Sequence, residues 1–473
     1  MSEHSELRSD GYCIPKYALS ESCIADLRDV LTMKPLTGFD TCALPKSFKL
    51  FVETEHEIVV PKYFGLERFG TPGLLSIPSG QDVPNVAFVG SLRSSEQEAP
   101  VDAFLKAASC PTKMGGIISL PCGAGKTVVA LKIISILKKK TLIVVHKEFL
   151  LTQWQSRICQ FLPSASVGLI KAGVVDVEGH DIVMASLQSL SMKSYDNDKT
   201  FRDFGLVIVD ECHRVGTEVF SRALGKTNFL YSLGLSATVE RKDGMTRAIV
   251  YHLGEVIDSS ASEEMGFPGS VSSSLSGSVS VRVLRFASSD TSYARDETIF
   301  RMVYVAATNS KQSKKSPNLS RMINNVCGFA PRTSYIADEI RDTLAKDRGR
   351  RVLVLSDRKA QLSAIRDDLF SSGADVGFYW GGMKPSELKV SEECQVICAT
   401  FAYASEGMDI PGLDTLVLAS PKTEIEQSCG RILRRLNAHP PLIIDIVDSF
   451  SYVFQAQAKK RVVFYRKKNF IIL

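Results

Sequence analysis

The 473-residue chain lacks the features of a membrane, secreted or zinc-binding protein. No apolar run approaches the ~18–20 residues of a membrane span, and residues 1–10 are too polar for a signal peptide. The 11 cysteines include no CxxC pair and have no histidine cluster beside them. We therefore expect no membrane association and no zinc. We also expect an intracellular protein, cytoplasmic or nuclear, with reduced cysteines.

A strong excess of one charge is also missing. The net charge is +5 and the sequence pI is about 8.5. This balance permits nucleic-acid binding without demanding it, so any nucleic-acid track must be a local basic surface. The length predicts two or three domains, each with a sizeable core.

The hydrophobic pattern changes three times along the chain. Residues 1–85 hold short strand-like runs between prolines and glycines, which predicts a small accessory domain. Residues 86–258 and 329–473 each contain several short runs of β-branched residues and leucine, typical of strands buried on both faces of a parallel sheet. Residues 259–328 begin with a Ser- and Gly-rich stretch and are predicted to be a linker or insertion. The fold class is therefore α/β, with two parallel-sheet domains and a small N-terminal accessory domain.

A glycine-containing loop follows the first apolar strand of the 86–258 domain and precedes a helical run. Its glycines allow backbone N–H groups to point at phosphate, and the following helix adds its positive end. Lys126 is placed to reach the β- and γ-phosphates of a nucleotide, and the Thr127 hydroxyl to ligate Mg²⁺. The strict GxxxxGK[ST] pattern is not met, because Leu120 occupies the first glycine position. The predicted nucleotide-binding loop consists of Pro121, Cys122, Gly123, Ala124, Gly125, Lys126 and Thr127.

Two carboxylates follow another buried strand, at residues 206–209. Ligands of an open α/β sheet gather at the carboxyl ends of its strands. Asp210 would therefore hold Mg²⁺ together with Thr127, and Glu211 would orient and polarise the attacking water. The alternative is an ordinary acidic turn at a strand end. The predicted nucleotide-binding loop at residues 121–127, called the phosphate-type loop from here on, and His213 downstream favour the catalytic interpretation.

These segments, together with Gln-Ser-Cys-Gly-Arg-Ile-Leu-Arg at 427–434, resemble the motifs of superfamily 2 helicases of the DEAH/DECH kind. Residues 233–238 resemble motif III and residues 399–411 resemble motif V. Within the family, the chain looks most similar to the XPB-like branch and to helicases of large DNA viruses. Those viral helicases include the poxvirus transcript-release helicase and its iridovirus counterparts. The resemblance covers roughly residues 92–448 and implies two RecA-like domains that bind ATP and Mg²⁺.

The resemblance also implies roles for individual residues. Arg431 and Arg434 stand three apart, so on a helix they would share one face and supply arginine fingers from the second domain. Gln97 would read adenine, although its spacing from Leu92 departs from the family pattern, and a surface glutamine at a helix start is the alternative. Gly407 and Asp409 would belong to the nucleotide site. The remaining expected residues are His213, Ser236, Thr238 and Gln427 for coupling, and Gln153, Trp154 and Thr400 for nucleic-acid contact.

The predicted function is an ATP-dependent DNA helicase or translocase. The resemblance suggests a role in viral transcription, with DNA and transcription machinery as partners, and a location in the host cell and the virion. Three alternatives stay open: the translocase subunit of a restriction-type nuclease, an RNA helicase, and a non-catalytic scaffold that keeps only the fold. Intact Lys126, Asp210, Glu211 and both arginines argue against the scaffold.

Overall fold

Alternating apolar strands and amphipathic helices build two α/β units, Met1–Gly266 and Phe267–Leu473. The computed structural model describes residues 2–34, 47–93, 95–121, 123–195, 197–214, 217–227, 229–237, 244–257, 279–305, 310–408, 410–433 and 439–473. No helix among these residues is long and apolar enough to cross a membrane.

The first unit is centred on a seven-stranded sheet. Its strands lie in the order Val174–Asp176, Val167–Lys171, Ile182–Ser186, Thr141–Val145, Leu206–Val209, Tyr231–Ser236 and Gly115–Ser119. All neighbours pair in parallel except the edge strand Val174–Asp176, which is antiparallel. The four central strands are almost wholly apolar because both faces of the sheet are covered.

Helices cover the two faces of this sheet. One face packs against Ser95–Ala108, Lys126–Leu137 and Glu148–Phe161. The other packs against Leu187–Met192, Thr217–Leu224 and Thr246–Leu253. A short helix, Asn197–Thr200, comes before the strand Leu206–Val209 in the chain. This sandwich leaves the carboxyl ends of the parallel strands as the edge where loops converge, which is where ligands bind in open α/β sheets.

The accessory region is a smaller sheet that belongs to the same unit. Its strand order is Val52–Glu53, Glu57–Val60, Gly11–Pro15, Glu6–Arg8 and Leu74–Leu75, with Thr32–Met33 and Phe48–Lys49 as a separate pair and Glu21–Val30 and Lys62–Phe69 as helices. Its core includes Tyr251 of the helix Thr246–Leu253. Lys62, only 7% exposed, donates from Nζ to the Leu230 carbonyl at 2.5 Å. The accessory sheet is thus anchored to the larger sheet by apolar packing and by a buried lysine.

The second unit contains another seven-stranded sheet, parallel throughout. Its strands lie in the order Val376–Tyr379, Val396–Thr400, Val352–Ser356, Thr415–Leu418, Leu442–Asp448, Ser280–Phe286 and Ile471–Ile472. Its helices are Leu319–Gly328, Ala330–Lys346, Lys359–Ser371, Pro385–Glu393, Phe401–Gly407, Glu426–Cys429 and Tyr452–Lys467. An antiparallel hairpin, Thr298–Val305 with Ser310–Pro317, forms a separate two-stranded sheet.

Two parallel-sheet units with a small N-terminal sheet match the fold class expected from the sequence. The strand Ser280–Phe286 lies in the second sheet, beside Leu442–Asp448, although the sequence places it within the linker or insertion 259–328. Its arginines at 282 and 285 hide the apolar pattern of a buried strand. The domain boundaries at 85, 258 and 328 stay predictions, and residues 258–278 lie outside the described part of the chain.

Candidate ATP site

The phosphate-type loop connects the strand Gly115–Ser119 to the helix Lys126–Leu137. Gly123 and Gly125 have φ angles of 85° and 87°, a left-handed conformation that favours glycine. Gly125 is the N-cap and provides no side chain to cap the helix. The first-turn N–H groups and the helix dipole therefore remain available to an anion, as an ATP site requires.

Gln97 braces this loop from the adjacent helix Ser95–Ala108. Its side chain is 3% exposed, and Nε2 donates to the Ala124 carbonyl at 2.8 Å while Oε1 accepts from the Arg93 N–H at 2.8 Å. A Cβ added at Gly125 would lie 2.2 Å from Gln97 Nε2. Gln97 is therefore not a surface glutamine, and its packing explains why residue 125 has no side chain.

Lys126 connects the loop to the acidic strand end. Its Nζ donates to the Leu120 carbonyl at 3.3 Å and lies 3.7 Å from Glu211 Oε1. The lysine side chain is only 10% exposed and that of Glu211 18% exposed. The weak geometry of both contacts leaves the ammonium group able to exchange them for phosphate oxygens.

Asp210 and Glu211 occupy the turn after the strand Leu206–Val209. Asp210 is 8% exposed; its Oδ1 accepts from the Glu211 N–H and its Oδ2 from the Trp154 indole, both at 2.9 Å. Burial, reinforced by the neighbouring Glu211 carboxylate, raises the pKa of Asp210 to about 6. Glu211 has a φ of 48°, unusual for a residue with a side chain. A buried acid and a strained backbone at one turn are typical of functional sites.

His213 connects this turn to the next strand of the sheet. Its Nδ1 and the Ser236 Oγ are 2.7 Å apart, and Ser236 ends the strand Tyr231–Ser236. The Ser236 carbonyl accepts from the Leu120 N–H at 3.0 Å. The structure thus brings two predicted coupling residues together and joins both to the start of the phosphate-type loop.

The residues present fit ATP with Mg²⁺. Glu211 Oε2 is buried without a hydrogen-bond partner among the described residues, and its neighbour His213 Nδ1, 3.5 Å away, already bonds to Ser236. A buried carboxylate oxygen in that condition indicates a missing partner. Mg²⁺ is commonly held by one or two carboxylates together with substrate phosphates, which Asp210 and the half-buried Thr127 can complete.

Trp154 corrects one expectation. Its side chain is 1% exposed and packed in the core beneath the sheet, where it donates to Asp210. A ring that is 1% exposed leaves almost no surface for contact with a nucleic acid. Gln153, the preceding residue, is half-buried, and its contact with nucleic acid stays a prediction. The sequence alone does not show which of Gln153 and Trp154 faces the core.

Arg431 requires a second correction. The helix that carries Gln427 ends at Cys429, so Arg431 lies in a turn and not on that helix. The shared face with Arg434 stays a prediction, because Arg434 lies outside the described residues. Arg431 is 7% exposed and donates from Nη1 to the Met408 carbonyl at 2.7 Å. That bond joins the turn that contains Arg431 to the residue that follows the helix Phe401–Gly407.

The other predicted residues of the second unit lie near strand ends or helix ends. Thr400 ends the strand Val396–Thr400, and Gly407 ends the helix that follows. Four predicted residues lie outside the described part of the chain: Cys122, Thr238, Asp409 and Arg434.

Comparison with known proteins agrees with this geometry. The family described as "Type III restriction enzyme, res subunit" matches residues 91–241, which contain the loop and both carboxylates. A protein of Acanthamoeba polyphaga mimivirus, named as a candidate ATP-dependent RNA helicase, is 34% identical over 98% of this chain and 85% of its own length. A candidate helicase of Invertebrate iridescent virus 6 is 25% identical over 84% of this chain and 86% of its own. The DNA 3'-5' translocase XPB2 of Sulfurisphaera tokodaii is 37% identical over 37% of each chain.

Two parallel-sheet units, a phosphate-type loop and an acidic strand end define a helicase-type ATPase. The whole-length similarity to the mimiviral protein then gives the family. The chain belongs to the superfamily 2 helicases of the type found in large DNA viruses, with XPB-like relatives. Helicases of this type use ATP, usually with Mg²⁺.

Proposed function

We propose that this helicase hydrolyses ATP in order to move along DNA. The observation that carries the proposal is the buried cluster of Lys126, Asp210 and Glu211 beside a helix N-terminus. A phosphate-binding end, an ammonium group and two carboxylates are the components that phosphoryl transfer to water requires.

Each residue of the cluster has a proposed role. Lys126 leaves Leu120 and Glu211 and binds the β- and γ-phosphates. Asp210 and Thr127 hold Mg²⁺, which when bound neutralises charge on the phosphates. Glu211 orients the attacking water and receives its proton, because one of its oxygens is buried and has no hydrogen-bond partner among the described residues. The loop N–H groups of residues 123–127 bind phosphate oxygens.

Further roles follow from the family and are proposals too. Arg431 and Arg434 stabilise charge on the γ-phosphate, Gly407 and Asp409 contribute to the nucleotide site, and Gln97 contacts adenine. His213, Ser236, Thr238 and Gln427 couple hydrolysis to movement. Of these, the His213–Ser236 hydrogen bond at 2.7 Å supports coupling between the turn after one strand and the end of the next. Gln153 and Thr400 contact the nucleic-acid backbone.

DNA is the proposed track because the protein named DNA 3'-5' translocase XPB2 is 37% identical to this chain over 37% of its length. If the protein contacts the phosphate backbone of DNA, its affinity should not depend on the base sequence and should fall steeply as the salt concentration rises. The test is steady-state ATP hydrolysis with no polymer, single-stranded DNA, duplex DNA and RNA, each at two salt concentrations. Stimulation by either DNA supports the proposal, and stimulation by RNA alone refutes it.

An RNA helicase is the second candidate, because the mimiviral relative is named for RNA. A translocase subunit of a restriction-type nuclease is a third, suggested by the name of the matching family. Nuclease activity of the purified chain would support it. A role in viral transcription, with transcription machinery as partner, is tested by release of a transcript from a stalled elongation complex.

A further inference from the structure

Trp154 and Asp210 form a buried contact that the proposed ATP chemistry does not by itself explain. The indole Nε1 lies 2.9 Å from Asp210 Oδ2, and the two residues are 1% and 8% exposed. They come from different elements, the helix Glu148–Phe161 and the turn after the strand Leu206–Val209. Water is excluded from the bond, which is therefore stronger than an exposed one.

With this contact, each oxygen of the Asp210 carboxylate accepts one hydrogen bond. Oδ1 accepts from the Glu211 N–H and Oδ2 from the Trp154 N–H, so both oxygens are held and the carboxylate plane is fixed. Each oxygen retains a second lone pair. A carboxylate held in this way presents its remaining lone pairs in one direction, as ligands supported by outer hydrogen bonds do.

The ordinary alternative is that Asp210 merely satisfies a buried indole. Trp154 packs in the same core as Ile143, Leu150 and Ile208, and a buried indole N–H needs an acceptor wherever it lies. The alternative predicts that only the volume of the ring matters. An orienting role predicts that the N–H matters when the ring volume is kept.

We propose that Trp154 is a positioning residue, whose indole N–H orients the Asp210 carboxylate for a divalent cation at the nucleotide site. The inference rests on the proposed function, since it needs Asp210 to be a cation ligand. It assigns to Trp154 a role inside the protein that differs from contact with nucleic acid.

The test measures Mn²⁺ binding directly, as a substitute for Mg²⁺ that electron paramagnetic resonance detects. The full-length chain is titrated with Mn²⁺ in saturating ADP, and metal-free ADP affinity is measured with a fluorescent ADP analogue. Two variants remove the N–H: Trp154→Phe, and replacement of Trp154 by β-(3-benzothienyl)alanine, an isostere with sulfur in place of N–H. Trp380→Phe is the matched control, since Trp380 is the other of the two tryptophans and lies in the second unit.

Loss of an outer hydrogen bond to a metal ligand commonly weakens metal binding by 10–100-fold. We expect both Trp154 replacements to weaken Mn²⁺ by about tenfold, with metal-free ADP affinity within about twofold of the unaltered chain and no change in Trp380→Phe. A purely structural defect would lower both affinities together.

The outcomes separate this inference from the proposed function. Unchanged Mn²⁺ affinity in both replacements overturns the positioning role, as does weakening in Trp154→Phe with normal binding in the isostere, because ring packing then explains the contact. If the unaltered chain binds no Mn²⁺ with ADP, the proposed function itself falls and the positioning role falls with it.

Discussion

A buried ion pair makes the second unit sensitive to the loss of either partner. Arg332 is 0% exposed and Asp448 1% exposed, and the guanidinium binds the carboxylate through Nε at 2.6 Å and Nη2 at 2.9 Å. Tyr293 donates to the same carboxylate at 2.8 Å. Arg332 Nη1 also donates to the Ala419 carbonyl at 2.7 Å, next to the segment that leads to Gln427. The pair thus fixes the helix Ala330–Lys346 to the end of the central strands.

We predict that Asp448→Ala destabilises this unit by about 3–5 kcal/mol, because it leaves a buried guanidinium without its counter-charge. The Tyr293 hydroxyl, left with only the 3.4 Å bond to the Phe286 carbonyl, adds about 1 kcal/mol. The double variant Arg332→Met, Asp448→Leu should recover most of that loss, since apolar replacement of a whole buried pair is often neutral. The Ala419 carbonyl still accepts from Gln361 at 3.3 Å in that variant.

The assay is urea unfolding followed by tryptophan fluorescence. The chain has two tryptophans, Trp154 in the first unit and Trp380 in the second, so Trp154→Phe makes the signal specific to the second unit. The charge argument is refuted if Asp448→Ala changes the unfolding free energy by less than about 1 kcal/mol. It is also refuted if the double variant is as unstable as the single one, because the loss would then come from packing.

Three further predictions concern the first unit. Burial lowers the pKa of Lys62 from 10.5 to about 7, so only the unfolded chain holds that proton between these values. Lys62 should therefore add up to about 1.4 kcal/mol per pH unit to the unfolding free energy from pH 7 to 10, and Lys62→Met should remove that contribution. Gly125→Ala should abolish binding of a fluorescent ATP analogue while circular dichroism stays unchanged, because the new Cβ would lie 2.2 Å from Gln97 Nε2 at a φ of 87°. His213→Ala should keep basal ATP hydrolysis but lose strand separation, because it removes the bond to Ser236 and leaves the carboxylates in place.

Each of these predictions has a control. The Lys62 contribution should be followed through Trp154 fluorescence in a Trp380→Phe chain, and a slope that Lys62→Met leaves unchanged contradicts its origin. Gly382→Ala tests the effect of a positive φ alone, since Gly382 has a φ of 97° and nothing within 4 Å of an added Cβ. Equal loss of hydrolysis and strand separation in His213→Ala would count against a coupling role.

The parallel strands and the phosphate-type loop were predictable because their signals are local. Runs such as Leu206–Val209 are apolar on both faces, and such runs form buried parallel strands. Glycines at 123 and 125 followed by Lys126 carry the backbone conformation and the charge in a few adjacent positions. The acidic turn follows a strand directly, so its place at the sheet edge also follows from the sequence.

The unpredicted features depend on residues distant in sequence. Trp154 meets Asp210 across 56 positions, and no local pattern reveals that its ring faces the core. The spacing of Arg431 and Arg434 suggested a helix through both residues, but the helix containing Gln427 ends at Cys429. Ile432 lies in the turn that follows and is 0% exposed. The strand Ser280–Phe286 joins the second sheet beside Leu442–Asp448, more than 150 positions later, and its two arginines conceal its apolar pattern.

The central claim is that Lys126, Asp210 and Glu211 hydrolyse ATP under the control of a nucleic acid. The most direct measurement is phosphate release with and without DNA, for the unaltered chain, Lys126→Ala and Glu211→Gln, beside binding of a fluorescent ATP analogue. The account predicts DNA-stimulated release that both variants lose, with nucleotide binding weakened in Lys126→Ala and retained in Glu211→Gln. Phosphate release that persists in Glu211→Gln at the rate of the unaltered chain would contradict it.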